Sequence, residues 1–570
     1  MKDVFTLNLL LKEAIAHGCH HKAFQLFNQF QSSGGRPNTY TFPLLAKSLI
    51  SISALPCAPS LHCLALKQGL SSDISVATSF VALYGKLGFV KSALRVFDER
   101  EERDFVLFTA MISVYVENGA FDEGLRLFGS LNKEGLRPGA ITLVSALMAC
   151  MNMSENLWGK GVHGFGLKMG FGHDCFFGAC LVSFYCKIEC FRGAHNVFDG
   201  VYHRDVALCN AMISGFAQRG MDLEAFGCFR EMRENSFRVN ANTITGLLKV
   251  CANSGANWLS EMVQLVHSVC IKVGLDHEIM VATSILDGYG KRGLLGCSSL
   301  IFAQMPVRSI VSWTALMGAY VHNGHGHHAL KLLHQMQIEG VKPDMAALVC
   351  ALSACGHLGS LKHGSCIHGY IIRNFCEIGH VGMTTIINMY AKCGSLASSY
   401  ACFDGMACKN LHAWSSMIRG YGMHGHAIEA MHLFDEMLMN GVKPDGVIFL
   451  SVLSACSHGG LVEEGKHYFH VMTRDHGIEP NEKHYACMVD LLSRAGRLDE
   501  AHSLLMTVPM QKSMAMTKSM GASAYGALLG ACQTYNALGL GESVAKHLIN
   551  NRLEDEGAHI LVSNIYASRG

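Results

Sequence analysis

The chain has 570 residues, 50 % hydrophobic and 16 % charged, with a formal net charge of +1. That composition excludes intrinsic disorder and a charged coiled coil, and near-neutrality excludes polyanion binding by bulk charge. The 23 Cys include no C-x-x-C pair and the first residues carry no secretory pattern, which argues against a disulfide scaffold and a zinc ribbon.

From Val4 onward the sequence reads as short apolar helices closed by glycine turns. Gly18, Gly119, Gly220, Gly324 and Gly425 fall 101, 101, 104 and 101 residues apart. The same ruler carries Phe27, Phe128, Phe229, Leu333 and Phe434, then Pro37, Pro138, Val239, Pro343 and Pro444. Each block divides into two long units and a short one. In the fourth block these are Ile310–Asp344, Met345–Gly379 and His380–Asn410, of 35, 35 and 31 residues; the third block stretches its middle unit, Ala241–Glu278, to 38. A three-residue leader (1–3) thus precedes five triplets, fifteen units in residues 4–510, and residues 511–570 form a C-terminal extension.

Inside a unit the period is helical. Trp313, Leu316, Met317 and Tyr320 share one helix face, Asn323-Gly324 breaks it, and Ala329, Leu333 and Met336 form a second face that ends at Gly340 and Pro343. Two such helices cannot bury their apolar faces alone, whereas stacked copies can. The expected fold is all-α: a right-handed superhelical α-solenoid of about fifteen helix-turn-helix repeats with one concave surface. The longest uncharged stretch, Ser48–Leu66, holds Pro56 and Pro59 and falls short of the roughly 20 apolar residues of a membrane span, so no membrane partner is expected.

Several runs now carry a resemblance. Val311-Ser312-Trp313-Thr314-Ala315-Leu316-Met317, Gly340-Val341-Lys342-Pro343-Asp344, Asn388-Met389-Tyr390-Ala391-Lys392-Cys393-Gly394 and Leu453-Ser454-Ala455-Cys456-Ser457-His458 resemble plant pentatricopeptide-repeat proteins. The long–long–short alternation resembles the PLS subclass. Tyr525-Gly526-Ala527-Leu528-Leu529-Gly530-Ala531-Cys532 and Ser563-Asn564-Ile565-Tyr566-Ala567 resemble, in part, the E-type extension of that subclass, after a Met-rich stretch, Gln511–Met520.

Motifs for other chemistries are incomplete. Gly460-x4-Gly465-Lys466 is followed by His467 rather than Ser or Thr, and neither it nor Gly159-Lys160-Gly161-Val162-His163-Gly164 follows a strand, so no nucleotide loop is expected. His322, His325, His327 and His328 crowd one turn without a Cys or carboxylate to complete a metal set. His62, His163 and His368 recur at one register of the middle units, which reads as packing. A zinc deaminase needs H-x-E and P-C-x-x-C; both are missing, so the chain is expected to be no enzyme and to hold no cofactor.

What remains is a polar pattern in register. The fifth residues of the first and short units are Asn8, Thr78, Thr109, Ala179, Asn210, Thr283, Thr314, Thr384, Ser415 and Ala486. Mid-helix Asn, Thr and Ser are poor helix formers, so their recurrence asks for a ligand. The last residues are Asn38, Asp104, Gly139, Asp205, Asn240, Ser309, Asp344, Asn410 and Asp445. Helix capping accounts for the last residue but not the fifth, which favours reading of one base per repeat. The resemblance implies that these two positions select RNA bases, that the array runs parallel to RNA from 5′ to 3′, and that the second residue wedges between bases. Phe5, Val106, Val311 and Val447 suit the wedge; Ser75, Ala207 and His412 suit it less.

The resemblance further implies single-stranded organellar RNA as partner, C-to-U editing with a cytidine deaminase supplied in trans, and a mitochondrial or chloroplast location with the mitochondrion favoured. Other RNA roles (stability, splicing, translation) use the same binding chemistry. A protein-binding tetratricopeptide scaffold is the alternative from another class, but its period of about 34 differs from the alternation here. No Arg- and Ser-rich transit segment precedes Val4, and His559–Gly570 reads as one helix without its partner, so both ends are expected to be incomplete.

Overall fold

A computed structural model describes residues 3–52, 57–253, 258–374, 378–507 and 517–550, with residues 560 and 563. The regular structure of these residues is helical throughout: 32 α-helices and one 3-10 turn, with no strand among them. The chain divides into two compact units, Met1–Val250 and Cys251–Gly570, each built of helix pairs.

The pairs follow the repeat ruler. Val4–Ala16 is followed by His20–Ser32, and Ile310–His322 by Gly326–Ile338. The short units differ in their second helix: Val90–Asp98 has 9 residues and Leu295–Gln304 has 10, where Gly326–Ile338 has 13. About one helical turn is lost there, which accounts for most of the four residues separating long from short units. Between the helices of a pair the backbone must turn left-handed. The ruler glycines Gly18, Gly119, Gly220, Gly324 and Gly425 all do so, at φ of +67° to +80°, a conformation that costs glycine no Cβ clash.

Apolar faces meet in register. Phe27, Phe128, Phe229, Leu333 and Phe434 are all buried. In the second unit the seam between first helices is closed by small residues: a Cβ built on Gly290 would stand 2.3 Å from Ala319 Cβ, and one on Gly422 2.6 Å from Ala455 Cβ. These helices touch backbone to backbone, and Trp313 and Trp414 fill the space behind them.

Beyond the fifteenth pair, Thr517–Thr534 and Leu538–Asn550 form one more pair. Tyr525, Leu528 and Val544 share a core with Val489 and Leu492 of the preceding unit. Residues 511–516 of the Met-rich stretch and 564–567 of the second extension motif lie outside the described residues, as does nearly all of His559–Gly570. No helix of the described residues is long and apolar enough to cross a membrane.

Candidate nucleic-acid interface

The last residue of a unit begins the next helix, and in this structure it caps that helix. Oδ1 of Asp104, Asp205, Asp344 and Asp445 accepts from the backbone N–H three residues on, at 2.8 to 2.9 Å. Asn410 does the same to Ala413 at 2.9 Å, and Ser309 to Ser312 at 3.2 Å. Capping and ligand reading are therefore not exclusive. A carboxylate has two oxygens, and Oδ2 of these four Asp makes no hydrogen bond among the described residues; nor does Nδ2 of Asn410. Each of these Asp residues, and Asn410, is thus fixed by one atom and offers another, an acceptor for Asp and a donor for Asn, whereas Ser309 spends its one hydroxyl on the cap and Gly139 has no side chain to offer.

The hydroxyls among the fifth residues already have partners within the chain. Thr78, Thr314 and Thr384 each donate to the carbonyl four residues back, at 2.7 to 2.9 Å, a bond internal to the helix. Thr109 also bonds to its own helix and meets Thr142 Oγ1 at 2.7 Å. With the proton spent, each hydroxyl presents lone pairs. Thr283 and Ser415 are buried, at 9 % and 6 % exposure, and Ser415 Oγ lies 3.3 Å from Ser451 Oγ. Their hydroxyls are largely withdrawn from solvent.

In two of the long first units the structure brings the fifth and last residues together. Asn8 Nδ2 donates to Asn38 Oδ1 at 2.9 Å while Thr41 Oγ1 donates to Asn8 Oδ1 at 2.8 Å. Asn210, Asn240 and Thr243 repeat the triangle at 3.1 and 2.8 Å. Residues thirty positions apart in sequence therefore form one polar pair.

Beside the pair runs an apolar ladder. Phe5, Tyr40, Val106, Ile141, Phe176, Met280, Val311, Val381 and Val447 each stand second in their unit and are 42 % to 75 % exposed. Four of these, Phe5, Val106, Val311 and Val447, are expected from the sequence; the repeat ruler, applied to every unit, adds the rest. A second set went unread. The thirteenth residue of every short unit is a cation: Lys86, Lys187, Lys291, Lys392 and Arg494. Three of them pair with acids, Lys86 with Glu117 at 2.7 Å, Lys291 with Asp287 at 3.1 Å and Arg494 with Asp490 at 2.9 Å. Burial, then the neighbouring Arg419 charge, lowers the Lys392 pKa.

A second-position apolar residue, a fifth residue and a register cation meet in one place. An open cavity of about 630 Å³ is lined by Val311, Thr314, Lys291, Asp287, Asn253 and His322. Its volume falls within the ~300–1,000 Å³ of small-ligand sites. A neighbouring cavity of about 400 Å³ shares Gly318 and His322 and ends on His357, Asn388 and Lys392.

The other motifs resolve structurally. Gly460 is the left-handed C-cap of Gly446–Gly459, and Gly159–Gly164 lies inside helix Asn156–Lys168. His328 stacks on Tyr320 with 5.1 Å between centroids, and no group of three or more His, Cys, Asp or Glu is placed to hold a metal among the described residues. The recurring histidines gain a fourth member and a partner. Nδ1 of His62, His163, His267 and His368 lies 3.1, 2.8, 3.1 and 3.1 Å from the hydroxyl of Tyr84, Tyr185, Tyr289 and Tyr390. Burial lowers the pKa of all four histidines. These pairs join middle to short units, as packing elements do.

Comparison with known proteins follows this geometry. A PPR repeat family matches residues 204–253 and 308–357, and the PPR repeat itself matches 106–136, 412–442, 447–476 and 484–507. Two chloroplastic pentatricopeptide repeat-containing proteins of Arabidopsis thaliana are each 34 % identical over 96 % of this chain, which spans 66 % and 62 % of their lengths. A third from the same plant is 32 % identical over 99 % of this chain and 81 % of its own length. Among solved structures, maize PPR10 matches all of this chain and 82 % of its own at TM-score 0.53 and 17 % identity. Its complex with an 18-nt psaJ RNA element matches at TM-score 0.54 and 18 % identity, over 98 % and 82 %. At such identities these structures speak for the helical-repeat solenoid fold.

Proposed function

The chain belongs to the pentatricopeptide-repeat family, and from that premise we propose that it binds single-stranded RNA sequence-specifically in a plant organelle, one base per repeat. The observation that carries this is the cavity that holds Val311, Thr314 and Lys291 together. An apolar side chain can stack on a base, a polar pair can read its edge, and a cation can face its phosphate.

The atoms left free by these hydrogen bonds support a reading of base edges. Thr314 presents a lone pair and Asp344 a free carboxylate oxygen, so this unit offers two acceptors. Guanine, with adjacent N1–H and N2–H2 donors, is the base that fits. Thr384 offers an acceptor and Asn410 a donor, the complement of adenine N6–H2 and N1. With one middle unit between them and the array parallel to RNA, the target reads G, any base, A from 5′ to 3′. Asn8, Asn38, Asn210 and Asn240 satisfy one another in the free chain and re-pair on a pyrimidine edge.

C-to-U editing, with a deaminase recruited in trans through the C-terminal pair, is the role we favour for this binding. It rests on the long–long–short alternation and on the missing deaminase motif, and it makes the chain a non-enzymatic recognition subunit. Several relatives are named chloroplastic, so we place this work in the chloroplast rather than the mitochondrion that the sequence resemblance favoured. Selection from a random single-stranded RNA pool tests the proposal. Enrichment of G-N-A at the expected offset supports it; a pool that stays random, with retention of a peptide library instead, favours the protein scaffold.

A further inference from the structure

We propose that Arg103, Arg204, Arg308 and Lys409 are positioning residues for base selection, each clamping the loop that presents the last residue of a short unit; this rests on the RNA-reading function above. Each stands immediately before a last residue: Asp104, Asp205, Ser309 or Asn410. Each reaches back over a phenylalanine six residues earlier. The Arg103, Arg204 and Arg308 guanidinium carbons lie 4.5, 4.1 and 4.9 Å from the ring centroids of Phe97, Phe198 and Phe302, and Lys409 Nζ lies 5.2 Å from that of Phe403. Within such distances cation and ring attract, more strongly when partly desolvated. All four side chains are between 24 % and 28 % exposed.

Further bonds close the clamp. Arg103 Nε donates to the Arg100 carbonyl at 3.1 Å, and Arg308 Nε to the Phe302 carbonyl at 3.3 Å. Arg204 bonds Asp199 at 3.1 Å and also Glu231; Lys409 lies 3.9 Å from Asp404. The ring beneath is itself fixed. Phe97, Phe302 and Phe403 meet Phe108, Trp313 and Trp414 edge to face, with centroids 5.2, 4.7 and 4.8 Å apart. Those partners stand fourth in the following unit, next to its fifth residue. The clamp therefore links the last residue of one unit to the first helix of the next.

The long first units solve the same problem differently. Before the last residue of four of these five stand Pro37, Pro138, Pro343 and Pro444, all buried, whose rings fix φ; the third has Val239 there. Two unrelated chemistries immobilise one backbone point, and what that point has in common is the selector that follows it. The cap alone does not do this. A single hydrogen bond to Oδ1 leaves the side chain free to pivot about it, and the direction of the other oxygen then depends on how the loop is held.

The test uses the full chain and RNAs differing only at the nucleotide facing unit 74–104, where Thr78 and Asp104 present two acceptors. Arg103→Met keeps the aliphatic stem and removes the cation. It should lower the preference for G over A there by roughly 3- to 10-fold, a fraction of what a bidentate base contact supplies. Preference at the unit 310–344 nucleotide should not change. Arg103→Lys should retain preference, since Lys409 serves naturally. An equal loss of affinity for all four RNAs, or a lowered melting temperature with preference intact, overturns the proposal. Asp104→Asn run in parallel separates the two levels: if it moves preference toward A and Arg103→Met does not, the clamp fails alone; if Asp104→Asn also changes nothing, the reading by this pair fails with it.

Discussion

Replacing Gly422 by Ala in helix Leu411–Met423 sets two magnitudes against each other. Helix propensity favours the change by about 0.8–1.0 kcal/mol. The new Cβ would stand 2.6 Å from Ala455 Cβ, 2.9 Å from Ala455 Cα and 3.4 Å from its nitrogen. Carbon contacts prefer ~3.5–4.0 Å, so the misfit is about 1 Å. None of these atoms can rotate away, so the helices must part along the seam that Met417 and Val452 fill. Overpacking of this kind costs about 1–3 kcal/mol, and with three fixed atoms inside contact distance the upper half of that range applies, which leaves a net destabilisation of about 1–2 kcal/mol. Gly227, inside helix Asp222–Glu234, has nothing within 4 Å of its Cβ position, so Gly227→Ala should stabilise by about 0.5–1 kcal/mol. Because repeats couple mainly to neighbours, local amide hydrogen exchange is the assay. Exchange across residues 411–459 should accelerate roughly tenfold in Gly422→Ala, one decade per ~1.4 kcal/mol, and slow around 222–234 in Gly227→Ala. Equal signs for the two substitutions would refute the backbone-to-backbone seam.

Acid should weaken the fold through the four His–Tyr pairs. Burial disfavours the cation and holds their pKa below the ordinary imidazole value of about 6.5, so the unfolded chain takes up protons that the folded one refuses. Stability is complete above about pH 6.5 and falls below it; a urea midpoint that does not drop from pH 7.5 to 5.5 would contradict this. Val311→Ser, at an exposed site, should leave folding intact and weaken RNA binding roughly 3- to 10-fold for all bases alike, in filter binding; a base-selective change would reassign Val311 as a selector. The salt dependence should be shallow. Five cations stand in register and three are already ion-paired, so the log–log slope should not exceed about −3.5 in size, and one near −7 would mean about ten phosphate contacts.

Helix breaks, unit lengths and the polar register were legible because they depend on neighbours in sequence. Gly324 announces its own left-handed turn, and Asp344 its own cap. What escaped depends on distances across the stack. Ser415 matches the half-buried Thr314 in register, yet its helix is gripped closely on both sides, Gly420 against Ala391 and Gly422 against Ala455, and Ser415 is buried. The i−4 bond that spends the Thr314 and Thr384 protons is likewise not marked by any residue type. The His–Tyr partnership joins residues twenty-two apart on different units; both halves recur in the sequence, but only the fold shows that they meet.

The measurement that bears most directly on base reading is the preference of Asn410→Asp. Asn410 caps Ala413 through Oδ1, and Asp caps as well as Asn, so melting temperature and helical content should not change. The substitution replaces only the free Nδ2 donor by an acceptor beside Thr384. Titrating the full chain with four RNAs that differ at the facing nucleotide should show preference moving from A to G by about 1–3 kcal/mol, with the G read by Thr314 and Asp344 unaffected. Equal weakening on all four RNAs, or a loss of helical content, would make Asn410 a cap and nothing more.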